Sequence, residues 1–284
     1  MHDGSENRPQ GFWRWTGSLL ILGLFCLLAV APIAWQVISS LKSAAELTQI
    51  PPTVWPEKPT LDNYRELFYR RPFARYYLNS FVIASLSAFL CVASASLAAY
   101  GLARTPEKTR RNVTSALLVA AFFPPIVFLF PLYEMVRAAG LVNHPWSLIL
   151  PYAALNLPFS IWLLTGYFSQ IPYELEEAAA IDGLSRFQTF SKIILPVSTP
   201  ALATTGILAF IFAWNEFMLA LTFLNRESVK TITVGVATLS GAFAYEIPWG
   251  LLAAGVVASS LPLILFVLIL QKRVVAGLTA GTGK

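Results

Sequence analysis

Charge is what this sequence has least of. Of its 284 residues only 12% are Asp, Glu, Lys or Arg, about half the ~25% usual in a soluble domain. That excludes a chain folded around one water-facing core. Cysteine and histidine are equally scarce, at two each. Cys26 and Cys91 fall inside apolar runs without a metal-ligand partner at useful spacing, so both read as small buried hydrophobes. His2 and His144 stand alone in expected loops. No cluster of His, Asp, Glu or Cys has catalytic spacing, so a membrane enzyme and a metal site are both excluded. A nucleotide loop is missing too. The ending Gly281-Thr282-Gly283-Lys284 invites that reading, but it has no preceding strand, no following helix and the wrong glycine spacing.

What the chain has is apolar length. Hydrophobic residues make up 56% of it and mean hydropathy is +0.62. The runs are near-continuous, whereas barrel strands would alternate in segments of roughly ten residues. The reading is an all-α membrane protein with six spans, at about 15–41, 76–103, 112–133, 146–168, 197–224 and 250–270. Each reaches the ~20 residues that a span needs. The first run is too long and too late for a cleaved signal and stays as an anchor. Residues 1–14 and 272–284 are expected as polar cytoplasmic tails, with 15–271 as the membrane domain. The net charge of +5 suits contact with anionic membrane lipid and points to no nucleic acid.

Local signals refine the spans. Ala84, Ser85, Ser87, Ala88, Ala93, Ser94, Ala95 and Ser96 would let helices approach closely in the second. Pro124, Pro125 and Pro131 should kink or break the third. Glu134 and Arg137 can pair on one helix face. In the outer segment 42–75, Pro51-Pro52 and Pro56 to Pro59 stop any helix. Leu61, Tyr64, Leu67 and Phe68 then have helical spacing, with Thr60 as an N-cap. The outer loop 225–249, with Gly235, Gly241, Tyr245 and Trp249, suits either contact with a soluble partner or a plain connector. Arg104, Lys108, Arg110 and Arg111 make a short basic loop, the best local sign of a cytoplasmic side. With both ends inside, eleven of the 20 Lys and Arg are cytoplasmic, so charge alone sets the orientation weakly.

The fifth run holds Trp214-Asn215-Glu216. A carboxylate inside a membrane is a functional-site candidate by default. The alternative places Glu216 near the outer end of its helix, reaching water or a partner subunit. These three residues are the candidates for a translocation path.

The polar island at 169–196 organises the rest. Pro172 suits the first turn of a helix, and Glu174, Glu176 and Glu177 then sit near its N-terminus, where negative charge is favoured. Gly183 stands where a left-handed cap ends a helix. Ser185 and Gln188 have capping-box spacing for a second short helix. Leu184, Phe187, Phe190 and Ile194 recur at helical steps and give it one apolar face. Taken alone, the island is either an interfacial loop or an exposed pair of helices.

Its residues also match a family pattern. Glu177-Ala178-Ala179, then Asp182-Gly183, then Ile193, Leu195 and Pro196 resemble the EAA loop of ABC-importer permeases without departure. Pro59-Thr60-Leu61-Asp62-Asn63-Tyr64, Phe212 to Phe217 and Val274 to Thr279 are similar to the sugar-importer, maltose- and trehalose-type branch. The resemblance implies the fold of a type I importer permease, whose cytoplasmic EAA loop forms a coupling helix that docks on the ATPase. It implies a role in coupling for Glu177, Ala178, Ala179, Asp182, Gly183, Ile193, Leu195 and Pro196. It also implies a second homologous permease subunit, two ATP-binding cassette subunits and an extracytoplasmic substrate-binding protein as partners. The chain would hold no cofactor, ATP being bound by the partner subunits. It would sit in a bacterial or archaeal cytoplasmic membrane with both termini inside. Its cargo would be a di- or oligosaccharide such as maltose or trehalose. The alternatives are a polyol or glycerol-3-phosphate-type substrate, or a self-sufficient secondary transporter.

Overall fold

The computed structural model describes residues 10–239 and 247–280, with side chains for 18–239 and 247–268. Residues 1–9 of the expected N-terminal tail, Gly241, Tyr245 and the last four residues lie outside it. Helices alone carry the described residues, with no strand among them. In chain order they are α1 Gln10–Ser40, α2 Ala44–Leu47, α3 Asp62–Arg65, α4 Phe73–Ala103, α5 Glu107–Ala121, α6 Leu129–Ala138, α7 Trp146–Phe168, α8 Glu174–Ile181, α9 Arg186–Thr189, α10 Leu195–Val197, α11 Thr199–Asn215, α12 Met218–Phe223, α13 Ile232–Ala237 and α14 Trp249–Ala280. Among the described residues four helices are long and apolar enough to cross a membrane, or six if each of two bent pairs counts as one span.

The bends follow from the sequence. Pro124 is held extended (ψ 120°) because the residue before a proline is kept out of the helical region. The halves Glu107–Ala121 and Pro125–Ala138 therefore meet at 80°. Pro131 falls in the first turn of α6, where its missing N–H has no intrahelical partner to lose. The fourth run fills α7 with its expected ends and keeps Pro151 and Pro158 inside the helix.

Several expectations need correction. The fifth run is not one helix. It ends at Asn215, breaks at Glu216-Phe217 and resumes as α12. At its other end it turns by 78° from the helical segment that starts at Arg186. The basic loop shrinks to two residues, because Arg104 caps α4 and Glu107 already opens α5. Helix α1 begins at Gln10 and α14 runs to Ala280, so both expected tails are partly helical.

The contacts divide the chain into two compact units. One contains α1, the segment to Arg71 and α14 as far as Ala258. Its proline-rich stretch is held by polar bonds. Lys42 Nζ donates to the backbone carbonyl and hydroxyl of Thr53. The Thr53 hydroxyl and the Glu57 N–H both reach Glu46 Oε1, at 2.8 and 3.0 Å. Asn63 Nδ2 donates to the carbonyls of Ser40 and Lys42, each at 2.9 Å. The N-cap of α3 is Leu61, without a side-chain cap bond, so Thr60 stands one residue before the position expected of it, its hydroxyl accepting from Asp62 N at 3.2 Å.

The other unit runs from Pro72 to Thr238 and takes the rest of α14. Here α4 packs against α7 and α11. Ser80, Ala84, Ser87, Ala88, Cys91, Ala95, Ala99 and Ala103 are buried along it at three- and four-residue steps, so small side chains set the closeness of the three helices. Ala93 and Ser94, expected in that role, face outward. The stretch expected as a loop after Leu224 contains α13, which packs on α4. Asn79 Nδ2 donates to the carbonyls of Ser228 and Lys230, and Ile232 N donates to Ser80 Oγ at 2.7 Å.

Candidate functional site

The segment from Pro172 to Pro196 is built from its own caps. Helix α8 starts at Glu174, so Pro172 stands just outside it rather than in its first turn. Glu174, Glu176 and Glu177 all fall in that turn. At the other end Gly183 has φ +78°. Its N–H donates to Ala180 O at 3.1 Å and the next N–H, of Leu184, to Ala179 O at 3.0 Å. That is the double bond pattern of a Schellman cap. Asp182 precedes it as the C-cap residue. The box on α9 is complete. Gln188 N donates to Ser185 Oγ, and Ser185 N donates to the Gln188 side chain at 2.9 Å.

One face of this segment is fastened down. Ala179, Phe190 and Ile194 are buried. Phe190 and Ile194 join Ala95, Ala99 and Ala103 of α4, Leu164 and Phe168 of α7, and Ala201 of α11 in one apolar cluster. The other face is open. Glu177, Ala178 and Asp182 are exposed, as are Ile181 at 87% and Phe187 at 70%. The expected single apolar face of α9 is thus split, with Phe190 and Ile194 inside and Phe187 outside. A π-helical turn over Phe190–Ile194 follows, which holds one residue more than an α-turn. Ile193 and Leu195 are half-buried and Pro196 is exposed.

Sequence reasoning missed the polar anchor of α8. Arg104 and Glu176 form an ion pair at 2.6 Å, with side chains only 21% and 14% exposed. The Tyr100 hydroxyl donates to the second oxygen of Glu176 at 2.9 Å. Nothing local pairs residues so far apart in the chain. Glu176 and Glu177 look alike in the sequence, and only burial separates them.

The path candidates scatter. Trp214 is buried, stacks on Phe210 at 5.6 Å and donates its indole N–H to Ser259 O at 3.2 Å. Asn215 is exposed, with its amide on Ile211 O. Glu216 caps α12, accepting from Leu219 N at 2.9 Å and Ala220 N at 3.2 Å, and it accepts the Tyr152 hydroxyl at 2.5 Å. The Glu216 carboxylate is therefore engaged through both of its oxygens at a helix break.

Comparison with known proteins places this architecture. Residues 75–279 match the family model of the binding-protein-dependent transport system inner membrane component. The chain is 41% identical to the sulfoquinovosyl glycerol transport system permease protein of Agrobacterium fabrum, over 93% of its own length and 90% of the relative's. It is 40% identical to the trehalose/maltose transport system permease protein of Thermococcus litoralis, over 94% and 96%. Its fold is similar to a chain in the crystal structure of a bacterial ABC transporter involved in import of the acidic polysaccharide alginate. There the TM-score is 0.79 at 23% identity, covering 94% of this chain and 99% of that one. With the family model covering most of its length and the fold agreeing, this chain belongs to the inner-membrane permease components of binding-protein-dependent transport systems.

Proposed function

We propose that this chain forms one half of the membrane path of an ATP-driven carbohydrate importer, and that ATPase motion enters it through α8 and the Gly183 turn. The observation that carries the coupling reading is the two-sided segment described above. Its inner face is locked into the helix cluster. Its outer face presents Glu177 beside Ile181 and Phe187. An exposed apolar patch rimmed by charge suits a protein partner, and the Glu177 carboxylate suits a basic group there. Ala178, Ala179 and Asp182 complete α8, while Leu195, with Ile193 and Pro196 beside it, packs the following segment against that cluster.

Energy enters only through two ATP-binding cassette subunits, which bind the ATP. The chain itself is no enzyme and carries no cofactor. A second homologous permease subunit closes the path, and an extracytoplasmic binding protein delivers the cargo. The complex sits in the cytoplasmic membrane with both termini inside. The cargo is a di- or oligosaccharide or a related glycoside. Support comes from relatives named for sulfoquinovosyl glycerol and for trehalose and maltose. A polyol or glycerol-3-phosphate-type substrate is the alternative. Of the path candidates, Asn215 faces the path, with Trp214 and Glu216 shaping the wall behind it.

The test is a complex reconstituted in liposomes with its ATPase and binding protein and a panel containing trehalose and maltose. Glu177→Lys should leave membrane insertion intact and abolish uptake. Normal uptake by that variant at equal protein level overturns the coupling reading. Ion-driven uptake by the chain alone overturns the importer.

A further inference from the structure

Glu176 and Glu177 are neighbours on α8, and they differ in burial. Glu177 is exposed, whereas Glu176 is held by α4 through both of its oxygens. Arg104 Nε donates to Glu176 Oε1 at 2.6 Å and Tyr100 donates to Oε2 at 2.9 Å. The same guanidinium reaches back to the end of α7, donating to Phe168 O at 3.3 Å and to Ile171 O at 3.5 Å. The Tyr100 ring lies 5.0 Å from that of Phe190. The cluster that fastens this segment is apolar, with Leu164 and Phe168 on the α7 side and only the small Ala95, Ala99 and Ala103 on the α4 side. Apolar contact is non-directional, so smooth alanine surfaces let a helix slide or tilt at little cost. A charge-assisted fork fixes direction as well as distance.

We propose that Arg104 and Glu176 are positioning residues, a strut that delivers displacement of α8 to the end of α4, with Tyr100 steadying it. The strut is walled on one side only. The other side opens on a cleft lined by Gly101, Tyr173 and Arg186, which leaves the fork room to swing. This inference rests on the coupling reading above.

The experiment uses the full complex with its ATPase subunits in liposomes. Cys26 and Cys91 are replaced by Ala, and a reporter cysteine replaces Leu78, 62% exposed near the far end of α4. Its alkylation rate is followed with and without ATP and vanadate, so no knowledge of the sugar is needed. With the strut intact, trapping should change the rate by about fivefold or more, the scale of ordinary coupling between sites. Glu176→Gln, which keeps size and hydrogen bonding, and Arg104→Gln should abolish that change while trapping nucleotide to the same yield. Arg104→Lys should restore part of it. A full rate change in Glu176→Gln overturns the strut. So does a result in which both variants merely lower the yield of assembled complex while the remainder responds fully. Glu177→Lys in the same assay separates the two ideas: a normal response there sinks coupling through α8 altogether, whereas its loss beside a normal Glu176→Gln sinks the strut alone.

Discussion

The hydroxyl of Tyr152 donates to Glu216 across 2.5 Å, joining α7 to the break between α11 and α12. Two backbone N–H groups of α12 use the same carboxylate. Glu216→Ala strands both donors and the phenol, which should lower stability by about 1–3 kcal/mol. Glu216→Gln keeps an acceptor and should transport at near-normal rate. Thermal unfolding of the purified complex and liposome uptake check the pair. A dead Glu216→Gln of normal stability would assign this carboxylate a role in the transport cycle itself.

Gly183 stands at φ +78°, and a Cβ there would meet nothing within 4 Å. The cost of a side chain is therefore backbone strain alone. Gly183→Ala should lose roughly 1 kcal/mol, and Gly183→Asn less, since asparagine tolerates that region. Gly183→Val should abolish uptake with insertion intact. Equal uptake by Gly183→Val and the parent would show that the turn's geometry is irrelevant to transport.

Gly235 is constrained by space instead. A Cβ on it would press into the Tyr76 ring, with Cε2 at 2.7 Å. Tyr76 is buried and its hydroxyl donates to Glu227, so the ring has little freedom to yield. Gly235→Ala should destabilise by about 1–3 kcal/mol, the range for overpacking. Adding Tyr76→Ala should recover part of the loss. Additive losses in the double variant would contradict the contact.

Orientation can be read chemically. In a background lacking Cys26 and Cys91, single cysteines at Thr109 and Gln188 should be shielded from an impermeant reagent outside the cell. A cysteine at Lys58 should label. All three positions are exposed on the chain itself. Labelling at Gln188 from outside would invert the topology.

Local chemistry was legible from residue types alone. The capping box at Ser185 and Gln188, the positive φ of Gly183, the break at Pro124-Pro125 and the exposed pair Glu134 and Arg137 (3.7 Å) all follow from neighbours within a few positions. What stayed hidden depended on distant partners. Glu216 read as a lone charge in an apolar run because its hydroxyl donor lies 64 positions away. Arg104 read as a loop cation for the same reason. The π-turn after Thr189 escaped because an extra residue in a helix leaves no mark in composition. The stretch after Leu224 that holds α13 looked irregular because its packing partner is α4, far upstream.

That π-turn makes the segment sensitive to length in a way that it is not sensitive to side-chain identity. A substitution between Phe190 and Ile194 alters one contact. Deleting any one of those five residues lets the turn relax to α geometry and rotates everything before it by about 100°. The caps at Gly183 and Ser185 would still form, yet the outward face would point elsewhere. Homologous loops should therefore hold their residue count across this turn even where an outward residue such as Lys192 is replaced.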